Sequence, residues 1–599
     1  MSERHLFDDH TTLVVRSLRG IVARHPALSL IESQKVTFDA SHDRKKVSLI
    51  SGGGSGHEPF SAGFVGRGLL SASASGDVFA SPSARQVYAA ISSVPSDLGT
   101  ILIITNYTGD NLHFGLACQQ ARADGHRVEV VPVCDDVSVG RKAGGLVGRR
   151  AVAGTMLVCK LAGAASEASR SYQECLDLTR AAAENLVSIA ALLDHASVPG
   201  RSEFGKIPEG TAEIGVGLHN EPGFFVCKPQ PSAQDFVSRM LKLLLDPSDE
   251  DRAFVPFKKQ DEVVLLCNNQ GGMSSLEMGA LVDETLAQLA TKWDINPKRI
   301  YEGTFVTTLN APGFSITLLN LTRTAINITF PTSILLEYLD ATHNASAWPG
   351  GNPQYHCDPA LAKRSLDEKC VVAPSQAVAE NADDGTSLLV NPEILRRALR
   401  SAGQAALASE NDLTRWDTIV GDGDCGETVA LGAKAVLKSV DEGICDDGDI
   451  IKLLRKLTQV IDDNCGGTLG AIFSIYLAAL ASEARDAAKE TDGKLDNFPW
   501  GKITGEALRT LQKSTKARKG MRTVMDAFVP LAEELSAGAS FGQAVQACRA
   551  GADATVGMQA KLGRATYVGA REGQTLPPDP GAQALAFTME GLLKGLYDM

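Results

Sequence analysis

The chain changes its hydrophobic rhythm once, and that change limits what it can fold into. From about residue 392 to 597, apolar residues recur at helical spacing, broken by glycine and proline turns, and strand signals are almost absent. Ahead of residue 340, short apolar runs end in polar loops and give way to helical stretches. Val47-Ser48-Leu49-Ile50, Ile101-Leu102-Ile103-Ile104 and Val128-Glu129-Val130-Val131 are three such runs. Strand, polar loop, helix is the order of a parallel sheet, whose ligands bind beyond the carboxyl ends of the strands. Helices are expected around 84–91 and 112–123 and along an Ala-rich stretch at 166–193. Further strands are expected at 263–266, 300–307, 314–321 and 326–330. The pattern predicts an α/β domain at 1–340, made of two subdomains split near 195. A connecting segment and linker follow at 341–388, then an all-α domain at 389–599.

A length of 599 residues allows several domains, each with a full core. The net charge of −13 disfavours non-specific nucleic-acid binding and gives no sign of a membrane surface. No apolar run reaches the ~18 residues of a membrane helix. The first ten residues lack the apolar segment of a signal peptide. The twelve cysteines are scattered without a Cys-x-x-Cys pair. This argues against a zinc site or a disulfide framework and for a reducing, cytoplasmic setting.

In the helical half, Gly421-Asp422-Gly423-Asp424-Cys425-Gly426 follows Asp417 and precedes a helical run from Glu427. Carboxylates at that density suit Mg²⁺, and a helix N-terminus beside them favours polyphosphate. An acidic surface turn would have the same composition. Gly466-Gly467-Thr468-Leu469-Gly470 opens an apolar helix, and its glycines permit close approach to phosphates. Further on lie Gly563-Arg564-Ala565-Thr566-Tyr567 and Asp579-Pro580-Gly581-Ala582. Arg564 is suited to phosphate oxygens, or is a surface charge. No Gly-x-x-x-x-Gly-Lys-Ser/Thr occurs, which excludes a P-loop kinase, and the protein-kinase motifs are missing.

In the α/β half, Ser51-Gly52-Gly53-Gly54-Ser55-Gly56-His57-Glu58-Pro59 reads as a loop after the first strand, with backbone N–H groups able to cup a small polar ligand. Asp110 follows the next strand, after Thr105-Asn106-Tyr107-Thr108-Gly109, and is placed to act as a base. His219 sits in Gly217-Leu218-His219-Asn220-Glu221-Pro222-Gly223, a tight turn that exposes an imidazole. An imidazole nitrogen can add to a ketone carbon, and such a tether orients a very small substrate.

Together, in this order, these motifs resemble the dihydroxyacetone kinase family, over essentially the whole chain. Asp77-Val78-Phe79-Ala80-Ser81-Pro82 and Gly303-Thr304-Phe305-Val306-Thr307-Thr308-Leu309 add to the likeness. The resemblance implies an N-terminal ketone-binding domain and a C-terminal barrel of antiparallel helices holding ATP. It implies Mg²⁺, two ions, on Asp417, Asp422 and Asp424, and nucleotide contacts from Cys425, Gly426, Glu427, Thr428, Thr468, Leu469, Arg564, Asp579, Pro580 and Gly581. It implies a substrate cradle at Gly54, Ser55, Gly56 and His57, with Thr105 and Asp110 beside it. It also implies catalysis by His57, Asp110 and His219, the last as a hemiaminal. Both domains in one chain imply ATP as donor, and the family's pairing of domains implies a homodimer.

Four positions depart from the family pattern. Thr105 stands where Lys is usual, Asn220 where Gly is usual, Leu469 where Ser is usual, and Met521 where Asp is usual. A hydrogen bond to a charged group is worth about 1.5–3 kcal/mol, so each departure is expected to cost roughly ten- to a hundredfold. Three readings follow: a kinase of dihydroxyacetone or a close carbonyl such as glyceraldehyde; a lyase that cyclises FAD-like nucleotides; or a divergent paralogue. The paralogue would bind a carbonyl or nucleotide, or act on a larger carbonyl metabolite.

Overall fold

A computed structural model describes residues 5–7, 9–144, 148–200, 206–349, 386–421, 423–491, 493–495, 498–561 and 575–597. The chain forms two compact units, residues 1–372 and 373–599. The first is α/β and the second is helical.

The first unit carries two six-stranded sheets. Sheet one comprises β1 (Leu28–Ile31), β2 (Val36–Asp39), β3 (Ser48–Ser55), β4 (Ala72–Val78), β5 (Thr100–Thr105) and β6 (Val128–Val133). Its order is β1-β2-β4-β3-β5-β6, and the pairs β4–β3, β3–β5 and β5–β6 are parallel. Ile101, Leu102, Ile103 and Ile104 in β5 are fully buried, as a strand covered on both faces requires. Sheet two holds β7 (Leu186–Leu192), β8 (Ala212–Ile214), β9 (Phe225–Cys227), β10 (Val263–Asn269), β11 (Arg299–Gly303) and β12 (Gly313–Asn320). It runs β11-β10-β12-β7-β8-β9, and only β10–β11 is parallel.

Three local readings are corrected. The stretch 166–193 is not one helix. It is the end of helix Thr155–Glu167, helix Tyr172–Glu184 and then β7, which is buried throughout. A fully buried strand lacks alternation, so its Leu-Val-Ser-Ile-Ala-Ala-Leu pattern reads like buried helix. The β-branched run at 326–330 is not a strand: helix Leu321–Ile328 takes its first three residues and Thr329 ends that helix, whose N-terminus the Asn320 side chain caps through the Arg323 N–H. The glycine-rich segment after Ile50 is not a loop either. β3 continues through it to Ser55, with Gly52 and Gly53 paired to Ala74 and Ser75.

The second unit is a ring of helices. Pro392–Ala408 packs on Cys425–Asp441, and the neighbours then follow as Ile450–Asn464, Gly467–Glu490, Trp500–Ser514, Met525–Ser536, Phe541–Asp553 and Pro580–Tyr597. The last returns to Pro392–Ala408 and closes the ring. Helix Gly467–Glu490 corrects the reading of apolar lengths. It has 24 residues and a mean hydropathy of 1.4 over its most apolar window, enough by length and composition to cross a membrane. Here it lies between two neighbours of the ring, with the Tyr476 ring 4.5 Å from that of Phe528.

The two sheets are joined at Asp135. Its buried carboxylate accepts the N–H groups of Val152 and Gly154, each at 2.9 Å, and the Ser188 hydroxyl of β7. A buried donor left without a partner costs about 1–3 kcal/mol. Asp135→Ala is therefore expected to lose at least ~3 kcal/mol of stability, seen as a lower urea midpoint for the α/β unit.

Candidate active site

In sheet one the parallel strands β3 and β5 end side by side, and the site lies beyond their carboxyl ends. β5 ends at Thr105, and helix Thr108–Ala123 starts with Asp110 in its first turn. Asp110 is buried; its Oδ2 accepts the Thr105 hydroxyl at 2.8 Å, while Oδ1 has no partner among the described residues. Burial pushes its carboxyl up, against hydrogen bonds from Ser81 and Thr105 and the nearby charge of His219. A buried oxygen with a free lone pair and raised basicity is equipped to take a proton from a substrate hydroxyl.

His57 follows β3, and its Nδ1 donates to the Thr307 carbonyl at 2.8 Å. Its Nε2 lies 3.2 Å from His219 Nε2, on the turn between β8 and β9. Burial first, then the charge of His219, holds the His57 imidazole down at about 3, so it is neutral near pH 7. Glu221 closes on His219, taking its backbone N–H at 2.7 Å and Nδ1 at 3.2 Å. Phe79 stacks on His57 at 5.2 Å and meets the His219 ring edge-on, and Tyr107 meets it edge-on at 4.8 Å. The site is thus an imidazole pair in an aromatic frame.

The cradle at Gly54–Gly56 is defined by close approach. A Cβ on Gly54 would stand 2.8 Å from Ala80 N, and one on Gly56 2.8 Å from the Phe79 ring. The N–H of Gly56 does not point to an open cup: it donates to the half-buried Glu58 carboxylate at 2.8 Å. The Ser55 hydroxyl donates to the Gly76 carbonyl.

In the helical unit, Asp417 Oδ2 accepts the N–H of Cys425, the first residue of helix Cys425–Asp441, at 3.1 Å. Gly426, Glu427 and Thr428 form the first turn of that helix. A Cβ on Gly426 would lie 2.2 Å from the Glu410 carbonyl, so only glycine lets this helix meet helix Glu410–Val420 there. Helix Gly467–Glu490 starts at open, exposed Gly466, Gly467 and Thr468. Asp579 caps helix Pro580–Tyr597 through the Ala582 N–H at 2.8 Å. Leu469 lies 3.4 Å from the Cβ position of Gly581, which brings the starts of those two helices together. Helix N-termini gathered in this way attract phosphate.

Asp422 and Arg564 lie outside the described residues. Among the described residues no three metal-ligating side chains form a cluster. Carboxylate charge nevertheless gathers here. Burial pushes Asp579 up to about 6, with Asp526 and Asp417 adding to the shift and the Ala582 N–H and Arg522 opposing it. A cation beside them would relieve such crowding, and carboxylate oxygens are the hard donors that Mg²⁺ takes.

A Dak1 domain model matches residues 19–347 and a DAK2 domain model matches residues 419–594. The chain is 41% identical to dihydroxyacetone kinase 2 of Saccharomyces cerevisiae, over 98% of each chain. This chain belongs to the dihydroxyacetone kinase family. It is also 35% identical to the triokinase/FMN cyclase of Bos taurus, over 97% of this chain and 96% of that one. Among solved structures of the family, the C. freundii dihydroxyacetone kinase in complex with AMP-PNP and Mg²⁺ superposes with a TM-score of 0.61. It is 27% identical, and the match covers 99% of each chain.

The departures from the family pattern acquire physical meanings. Thr105 gives its hydroxyl to Asp110. Asn220 has φ 61°, a conformation asparagine tolerates well. Its amide does not crowd His219: it grips Ala196, accepting that N–H at 2.9 Å and donating to its carbonyl at 2.8 Å. Loop 520–523 closes without an Asp at 521, because Asp526 takes the N–H groups of Gly520 and Thr523. Leu469 packs as an apolar residue among the ring helices.

Sequence reasoning passed over Glu221, Phe79, Tyr107 and Arg522. The first three stand inside motifs already singled out and Arg522 follows Met521, but nothing local says which side chain turns inward. Arg522 is 1% exposed, donates to the Pro577 carbonyl at 2.8 Å and, among the described residues, leaves Nε and Nη1 without partners.

Asn220→Gly keeps the backbone conformation and loses only the Ala196 grip. It is expected to cost about 1–2 kcal/mol of stability in thermal unfolding and to leave ketone turnover within severalfold of wild type. His57 binds no proton in the fold until about pH 3, whereas the unfolded chain binds one below about 6.5. Its contribution to stability is present above that range and lost as pH falls through it. Urea unfolding of His57→Asn between pH 7 and 4 should show a shallower acid loss than wild type.

Proposed function

We propose that this protein is a dihydroxyacetone kinase. It transfers the γ-phosphoryl group of ATP to a primary hydroxyl of dihydroxyacetone or of a close α-hydroxy carbonyl such as glyceraldehyde. The carrying observation is the His57–His219 pair beside buried Asp110 and its free oxygen, three side chains from separate strand ends. The yeast relative's name supports the substrate, and the AMP-PNP and Mg²⁺ in the C. freundii complex support the donor.

In this reading His219 Nε2 adds to the ketone carbon and holds the substrate as a hemiaminal. A glycerol molecule has no carbonyl and is rejected. Asp110 Oδ1 accepts the proton of the attacking hydroxyl. Residues 1–340 serve the ketone and residues 389–599 the nucleotide. Phosphates rest on the helix starts at Cys425, Gly467 and Pro580, with Arg564 among their partners. Asp417 and Asp424, with Asp422, would hold Mg²⁺, two ions, whose bound charge offsets that of the phosphates. We infer a cytoplasmic homodimer; the cysteines that are described carry no disulfide, as a reducing compartment favours.

A second activity is favoured by the triokinase/FMN cyclase relative. Incubation with FAD and Mn²⁺ would then yield cyclic FMN from the helical unit.

The test is ATP turnover with Mg²⁺ and dihydroxyacetone, glyceraldehyde, erythrulose or glycerol. Wild type should turn over dihydroxyacetone and not glycerol. His219→Ala and Asp417→Ala should each lose at least ~100-fold, since charge placement dominates phosphoryl transfer. Full activity in His219→Ala overturns the tether, and full activity in Asp417→Ala overturns the metal assignment.

A further inference from the structure

The atoms around the two imidazoles fix where the protons are. A carbonyl oxygen only accepts, so the Thr307 carbonyl at 2.8 Å requires a proton on His57 Nδ1. His57 is neutral, so its Nε2 is a bare lone pair. Only 3.2 Å away stands His219 Nε2. Two bare lone pairs at that distance repel, so His219 Nε2 carries a proton and donates it. His219 Nδ1 faces the Glu221 carboxylate at 3.2 Å, which also only accepts. Both nitrogens of His219 thus face groups placed to accept, the setting that suits a ring donating from each, an imidazolium.

Glu221 is itself held from behind. Burial pushes its carboxyl up, but hydrogen bonds from His219 and its charge outweigh this and hold it at about 2. At the place where a Cβ of Gly217 would stand, Glu221 Oε2 and Arg150 Nη1 come within 2.1 and 2.7 Å of one point. Arg150 is anchored by buried Asp136 at 2.8 and 3.1 Å and donates to the Gly215 carbonyl. The titratable and charged groups that face the His219 imidazole are thus Glu221, His57, Asp110 and Tyr107, with Arg150 behind Glu221.

An imidazolium is no nucleophile. We propose that Glu221 is a positioning residue that keeps His219 Nδ1 protonated and its ring positive throughout, so that ketone capture swaps the Nε2 proton for carbon at constant charge. This inference rests on the hemiaminal reading above. The Nε2 proton of His219 passes to the bare Nε2 of His57. The freed lone pair of His219 Nε2 forms the bond to the ketone carbon. The carbonyl π pair moves to oxygen, and His57 returns the proton to that oxygen. The site begins with one imidazolium and neutral His57. It ends with an N-alkylated imidazolium, a new hydroxyl and neutral His57. No proton enters or leaves, and Glu221 faces one positive charge at both ends of the step.

The experiment is binding of dihydroxyacetone, ¹³C-labelled at the carbonyl, to the full chain. NMR reads the hemiaminal carbon, and calorimetry in buffers of different ionisation enthalpy reads proton uptake. Wild type should show the hemiaminal carbon, no proton uptake, and affinity that is flat from pH 6 to 8. Glu221→Gln removes the countercharge, so the resting ring is neutral and capture must draw a proton from solution. Its affinity should fall at least tenfold at pH 7 and up to tenfold more per pH unit above it. Its ATP affinity should be unchanged. Glu221→Asp keeps the charge and should restore proton-neutral binding even if weaker, which a purely structural loss would not do. Hemiaminal formation in wild type with unaltered affinity and no proton uptake in Glu221→Gln overturns this inference alone. No hemiaminal carbon in wild type overturns the tether and this inference together.

Discussion

Two adjacent buried carboxylates, Asp135 and Asp136, hold the α/β site in register. Asp135 ends the line of β6 and fastens the start of helix Thr155–Glu167 and Ser188 of β7. The Asp135 carbonyl takes the Ser188 N–H at 2.7 Å, so backbone and side chain both bind sheet one to sheet two. Asp136 pairs with Arg150, which reaches the Gly215 carbonyl on the way to His219. Buried charges of this kind are costly unless every lone pair is satisfied, and here satisfaction comes only when both sheets are in place. His57 from one sheet and His219 from the other can then meet at a fixed distance.

The helical unit solves a different problem. It must seat its helix starts against neighbouring backbone without side chains in the way. Glycine permits this at Gly426, packed under the Glu410 carbonyl, and at Gly470, where a Cβ would lie 1.5 Å from the Cys465 carbonyl. The ring closes by packing the last helix on the first, so helix starts distant in sequence share one end. Buried Arg522 and half-buried Asp579 sit beside those starts as opposite charges, each pushed toward its neutral form by loss of solvent.

Much of this was legible in the chain itself. β5 and β6 were visible as apolar runs, and the second half as helix, because those signals depend only on spacing. β7 was not, since a strand buried on both faces has no alternation to read. The run at 326–330 misled for the opposite reason: β-branched residues favour strands, but the Asn320 cap and the packing of helix Leu321–Ile328 override a weak propensity. Asn220, standing where glycine is usual, was expected to carry a cost beside His219. Its effect depended on where the amide points, and the partner it grips is Ala196, twenty-four residues away in the chain.

The sequence alone determined the kinds of chemistry present: histidines and an aspartate near strand ends, carboxylates and glycines at helix starts, two domains in a set order. Those follow from local spacing and from what each side chain can donate or accept. Only the tertiary structure decided which groups share protons. His57 and His219 are 162 positions apart, and His57 and Thr307 are 250 apart. No local rule connects them; sheet order and the buried Asp135 junction do. The contacts of His219 with His57 and Glu221 exist only once those distances are set.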